Sequence, residues 1–309
     1  MCATIISMED SMKVIEQARN LRLKNADAKV AIGILEKHGE KIKDDLILSY
    51  DYPNLLKNLA ICYMDVGKVD QAREALEEAL KMAESSLNEI ELAEIRAVMA
   101  RLELQVSTIN DALYYANQAW SFIGTKKGDK FTPTKATTAE VLGEIYYESE
   151  KYSQAVEKFK YALLQAKRVK FTERELTASL NIVNHYIIRG RIEDARDLLR
   201  KYIAKAEGYA LIYANYRLSF ARILLEKGET EEANKLALEV SKLAKKNGLI
   251  RLQAESAQLV GSTYAEESPE RADSYFKKAF DLYNKVGYNL PKKHPREEDW
   301  FNTFDDTGE

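Results

Sequence analysis

Six asparagines, Asn20, Asn54, Asn58, Asn181, Asn184 and Asn215, carry the clearest chemical suggestion in this 309-residue chain. Asn is a mediocre residue for a helix interior. Its amide both donates and accepts hydrogen bonds, so its recurrence along helical stretches suits pairing with the backbone of an extended peptide. A second chemistry lies close by. Lys57 beside Asn58, with Arg101 farther on, could clamp a carboxylate through charge-assisted bonds. Glu144, Tyr147 and Arg222 fall on comparable positions and complete the candidate set. The simpler alternative is that these side chains coat solvated helix faces.

Residues suited to catalysis are sparse. His38, His185 and His294 lie far apart, and none stands at metal-ligand spacing from a cysteine or carboxylate. The stretch from Gly124 to Gly128 lacks both the Lys-Ser/Thr ending and the preceding strand of a phosphate-binding loop. Glu140 and Glu144 share one helix face and read as solvated. The expectation is therefore a non-enzymatic chain without cofactor or metal.

The elements that position these residues follow from a repeat. An alanine recurs after a turn at Ala31, Ala72, Ala112, Ala155, Ala195, Ala233 and Ala272, with spacings of 41, 40, 43, 40, 38 and 39 residues. Self-similarity at such a period marks a stack of helix pairs. Leu56, Leu59, Ala60 and Tyr63 stand at i, i+3, i+4 and i+7 and predict one stripe of a first helix. Gly67 ends that helix. Ala72, Leu76 and Ala79 predict the facing stripe of a second helix, with the small alanine admitting close backbone approach. The expected fold is all-α, a right-handed α–α superhelix of about seven helix pairs. Its units run near 12–52, 53–88, 89–132, 133–171, 172–208, 209–248 and 249–286. Residues 1–11 read as an extension, and 287–309 as a flexible acidic and aromatic tail in which basic Lys292, Lys293 and Arg296 precede the acidic run. That tail is either a disordered end or a short linear motif able to fold back on the chain's own groove.

Leu59-Ala60-x-x-Tyr63, Ala72, Leu76 and Ala79 resemble the tetratricopeptide repeat, as do Leu142-Gly143-x-x-Tyr146, Ala155, Phe159 and Ala162. The period of about 40 departs from that repeat's 34, and the closing proline is missing. The pattern is thus similar to the long-helix subset, such as kinesin light chains, polarity adaptors and bacterial peptide-pheromone receptors. That resemblance implies an open concave groove lined by the first helices, with groove asparagines binding peptide backbone. HEAT repeats share the period but not the Tyr–Gly–Ala spacing.

Composition narrows the partner. A net charge of −3 and an acidic patch at Glu140, Glu144 and Glu148 argue against a nucleic-acid channel. No apolar run approaches the ~18 residues of a membrane span. Two cysteines make no disulfide framework, and the first ten residues lack a basic signal-peptide region, so a cytoplasmic setting is expected. The sequence reads as a scaffold or adaptor for a protein or peptide. The alternatives are a peptide-sensing regulator, an RNA-binding helical repeat, and a subunit of a larger assembly, homo-oligomers included.

Overall fold

A computed structural model describes residues 8–43, 50–86 and 88–288. Among the described residues all regular structure is helical, in seven antiparallel pairs. These are α1 (Met8–Asn25) with α2 (Ala28–Ile42), α3 (Tyr52–Asp65) with α4 (Val69–Ser86), and α5 (Glu89–Val106) with α6 (Ile109–Ile123). Next come α7 (Thr132–Glu148) with α8 (Tyr152–Arg168), α9 (Thr172–Ile188) with α10 (Ile192–Ala206), and α11 (Ala210–Glu226) with α12 (Thr230–Asn247). The last pair is α13 (Ile250–Tyr264) with α14 (Pro269–Lys285). The pairs stack in chain order into an α–α superhelix.

Each pair is built the same way. The repeated alanines Ala31, Ala72, Ala112, Ala155, Ala195, Ala233 and Ala272 are all fully buried. They sit where the two helix backbones come closest, and a larger side chain would overpack that contact by roughly 1–3 kcal/mol. Where the facing residue is glycine, the second helix supplies an aromatic instead. A Cβ added at Gly143 would lie 2.5 Å from Phe159, and one at Gly261 would lie 2.8 Å from Phe276. The turn residue five positions before the alanine is left-handed at Gly67, Gly190 and Gly228, and also at Ala26 and Glu150. At Gly67 the following amide, Lys68 N–H, donates to the Tyr63 carbonyl at 2.9 Å, and Lys151 N–H donates to Tyr146 at 2.8 Å. The cap geometry is therefore kept where its usual glycine is missing.

Two boundaries differ from the sequence reading. Helix α1 begins at Met8, inside the segment read as an extension. Asp10 favours a helix start through the positive end of its dipole, and buried Ser11 holds His38 Nε2 at 3.0 Å. At the other end the chain stays packed through Tyr288, which is 5% exposed and whose hydroxyl donates to the Met64 carbonyl. Residues 289–309, which carry the basic and acidic runs of the tail, lie outside the described residues.

The superhelix closes on itself. The first helices α1, α3, α5, α7, α9 and α11 each touch the next, and α1 in turn touches α11. Leu23 of α1 is 5% exposed and belongs to one apolar cluster with Leu176, Leu180, Val183, Ile212 and Tyr216 of α9 and α11. Lys29 reaches Gly248 at the end of α12, and Gly67 lies against Val286 and Ile250. The first two pairs are thereby seated on the last three, and the concave face they line is not an open groove.

Candidate functional site

The concave wall divides into two zones, set by which half of each first helix contributes. Toward the N-terminal halves of α5, α7 and α9, the side chains that face inward neutralise each other. Lys57 Nζ lies 2.5 Å from Glu94 Oε2, which also accepts a 2.9 Å bond at its other oxygen from Thr134 Oγ1. Glu140 accepts from Arg174 at 3.2 Å and from Thr177 at 3.0 Å. At the border with the cavity, in the C-terminal halves of α5 and α7, Arg101 makes a two-pronged contact to Glu144, both bonds 2.9 Å, and stands 3.6 Å from Glu140. From α1, Arg19 Nε donates to Glu173 at 2.9 Å, and Arg22 Nε donates to Asp65 at 2.5 Å.

Burial pushes the carboxyls of Glu94, Glu140 and Glu173 toward the neutral form. At Glu94, Lys57 outweighs that penalty with help from Thr134, and the carboxyl is held below its usual range. At Glu173, Arg174, Arg19 and Arg22 do the same. Burial dominates at Glu140, which stays above the ordinary carboxylate value despite Arg174 and Arg101.

Toward the C-terminal halves of the same helices the wall opens into a cavity of about 740 Å³. Helices α5, α7, α9 and α11 supply Arg101, Glu144, Tyr147, Asn181, Asn184 and Arg222 to its lining. Helix α13 adds Arg251, Glu255 and Gln258, and Phe159, Phe276 and Leu259 give it apolar floor. Charged and polar side chains share this wall with apolar ones, so it can offer hydrogen-bond partners beside apolar contact. Asn181 and Arg222 have no side-chain hydrogen bond or ion pair to another described residue. Asn184 accepts a 2.6 Å bond from Ser219 Oγ through its carbonyl oxygen, which leaves its NH₂ directed elsewhere. Burial raises the Tyr147 phenol, with Glu148 adding to the effect, so it remains a neutral donor at this wall.

Of the eleven residues singled out in the sequence, the structure brings six together here: Arg101, Glu144, Tyr147, Asn181, Asn184 and Arg222. The other five are placed outside. Asn58 Nδ2 donates to the Asn54 carbonyl at 2.7 Å and to its Oδ1 at 3.1 Å, so this pair satisfies itself within α3. Lys57 is committed to Glu94. Asn215 Nδ2 donates back to Leu211 O at 2.9 Å within α11. Asn20 lies on α1, away from the cavity. The expected clamp of Lys57 with Arg101 on an outside carboxylate is corrected. Each cation already holds an internal one, because the first helices of successive pairs lie side by side.

The sequence reading missed the contribution of α13, above all Arg251, which donates to Glu255 at 2.8 Å. It also missed Tyr283 and Tyr288, which line the cavity from the far end of the chain. Cys62 is buried, and burial pushes its thiol up to about 12, as suits an inert packing residue. Among the described residues no helix is long and apolar enough to cross a membrane.

Tetratricopeptide repeat family models match residues 53–86 and 141–210. No match to a curated protein reaches significance. Among solved structures, a Rap protein complexed with Competence and Sporulation Factor is similar, with a TM-score of 0.59 at 13% identity over 90% of this chain and 78% of that one. A signal-transduction ATPase with a tetratricopeptide repeat sensor from Pyrococcus horikoshii matches 96% of this chain and 43% of its own length, at 16% identity and a TM-score of 0.46. At these identities the likeness is one of fold.

Proposed function

The chain being a tetratricopeptide-like helical repeat protein, we propose that it is a non-catalytic protein-interaction module that takes an extended peptide segment into the cavity between α5 and α13. The observation that carries this reading is the pairing state of the concave wall. Polar side chains in the closed zone have internal partners, whereas among the described residues Asn181 and Arg222 line the cavity without one. Two asparagines one helical turn apart can hold a peptide unit by its C=O and N–H together. The neighbouring apolar wall accommodates alternate side chains of the bound strand. That a Rap protein of similar fold is complexed with Competence and Sporulation Factor supports the reading. So does the use of groove asparagines that the sequence resemblance implies.

The test is selection of binders from a displayed library of random peptides, followed by hydrogen exchange of the chain with a selected peptide. Slowed exchange should fall on the C-terminal halves of α5, α7, α9 and α11 and on α13. Slowed exchange confined to the outer helices α4, α6 and α8 would overturn the assignment.

A further inference from the structure

Arg101, Arg222 and Arg251 line the cavity, and two of them are already matched. Arg101 donates to Glu144 at 2.9 Å, and Arg251 to Glu255 at 2.8 Å. Arg222, on α11, has no side-chain hydrogen bond or ion pair to another described residue. A guanidinium stays charged at physiological pH and presents its N–H donors in a planar fork. Arg222 is partly buried, and a charge drawn out of water without a counter-ion loses solvation that nothing replaces. It is the point on this wall where a ligand's negative charge is best received.

Its neighbours are donors as well. Ser219, one turn before Arg222 on the same face of α11, donates to Asn184 Oδ1 at 2.6 Å. That bond holds Asn184 of α9 beside this face of α11 and leaves its NH₂ to donate. Asn181 stands one turn earlier on α9. From α7, the Tyr147 phenol is raised by burial, and Arg222 opposes the shift, which places the two groups within electrostatic reach. Amide, phenol and guanidinium donors from three successive first helices suit an oxygen-rich anion. On α5, Gln105 Oε1 lines the same cavity and is buried with no hydrogen-bond partner among the described residues. That acceptor calls for an N–H on the ligand, which a peptide has and an inorganic anion lacks. Glutamates elsewhere on the wall disfavour a run of negative charge. We propose that Arg222 is the specificity-determining residue of the cavity and takes a single carboxylate of the bound peptide, either its free C-terminus or one Asp or Glu side chain. A two-pronged bond of this kind fixes the register of the strand as well as adding affinity.

The assignment of Arg222 rests on the reading of the cavity as a peptide site, and the experiment separates the two. Random peptides displayed with free C-termini are selected on the unaltered chain and synthesised in three fluorescent forms. These are the parent, its C-terminal amide, and the parent with Asp and Glu replaced by Asn and Gln. On the unaltered chain one of the two neutralised forms should bind at least about tenfold more weakly than the parent. Loss on amidation identifies the C-terminus, and loss on replacement identifies a side chain. Arg222→Gln should bind the parent and that neutralised form equally, because the two changes remove the same pair. Arg222→Lys should keep part of the difference. Arg222 has no internal bond to lose, so Arg222→Gln should keep the unfolding midpoint of the unaltered chain. No loss on either neutralisation, or undiminished discrimination by Arg222→Gln, would overturn the assignment. If the same peptides still weaken on Asn181→Ala/Asn184→Ala, the cavity reading stands without it. Peptides indifferent to Arg222 and to the asparagine pair alike would remove both.

Discussion

The two zones of the concave wall are built from the same helices at the same repeat register, yet they end in opposite chemical states. In the closed zone Lys57 pairs with Glu94 and Arg174 with Glu140, and α1 adds pairs from Arg19 to Glu173 and from Arg22 to Asp65. In the cavity zone Asn181 and Arg222 face space. The difference is one of closure. Where α1 returns to meet α9 and α11, the inner surface becomes an interior and its charges must be neutralised. Elsewhere the helices line a cavity, and Asn181 and Arg222 on it keep no internal hydrogen bond or ion pair among the described residues. A polar residue on the inner face of a helical repeat is thus evidence of binding only where the superhelix stays open.

The strongest way to break this contrast is to undo the closure. Leu23→Ala removes a buried side chain from the α9–α11 cluster and should cost about 2–5 kcal/mol in denaturant unfolding. Next is the charge lattice. The Glu140 side chain is 3% exposed and its loss strands Arg174, itself 13% exposed, so Glu140→Ala should destabilise by about 3 kcal/mol. The loss should exceed that of any single exposed pair, such as Arg191 with Asp194.

The closed zone also sets an acid limit. Glu94 and Glu173 are held below their usual value. Their contribution is therefore present above the unfolded carboxylate value of about 4.3 and lost as pH falls through the lower folded value. Glu140, held above, acts in the opposite sense. Stability followed by circular dichroism should fall below about pH 4, and Glu173→Gln should flatten that limb. A limb unchanged by Glu173→Gln would mean that other carboxylates govern acid unfolding. The smallest effect concerns the repeat itself. Glu150 occupies a left-handed position, with φ +60°, that other pairs give to glycine, so Glu150→Gly should raise stability by roughly 0.5–1 kcal/mol, read as a higher unfolding midpoint.

The fold was legible because every pair repeats one local contact, the buried alanine against the first-helix stripe, at a period the sequence displays outright. The closure was not. Arg19 and Glu173 are 154 residues apart, and no helix-face pattern records the number of pairs that complete a turn. Half of the site followed the same line. Asn181 and Asn184 reach the cavity lining as their register suggests, whereas Asn54 and Asn58 share that register but bond to each other. A signal for the internal pairs does exist in the sequence. Lys57 with Glu94, Glu140 with Arg174, and Arg101 with Glu144 are opposite charges 37, 34 and 43 residues apart, about one repeat. Matching charges at that interval would have separated the neutralised positions from the available ones.

The central claim is that the two zones differ in function, and matched asparagine pairs test it most directly. Peptides selected on the unaltered chain should bind Asn181→Ala/Asn184→Ala at least about tenfold more weakly, a loss of about 1.4 kcal/mol. They should bind Asn54→Ala/Asn58→Ala with unchanged affinity. Equal loss in the two variants, or loss only in the second, would contradict the account.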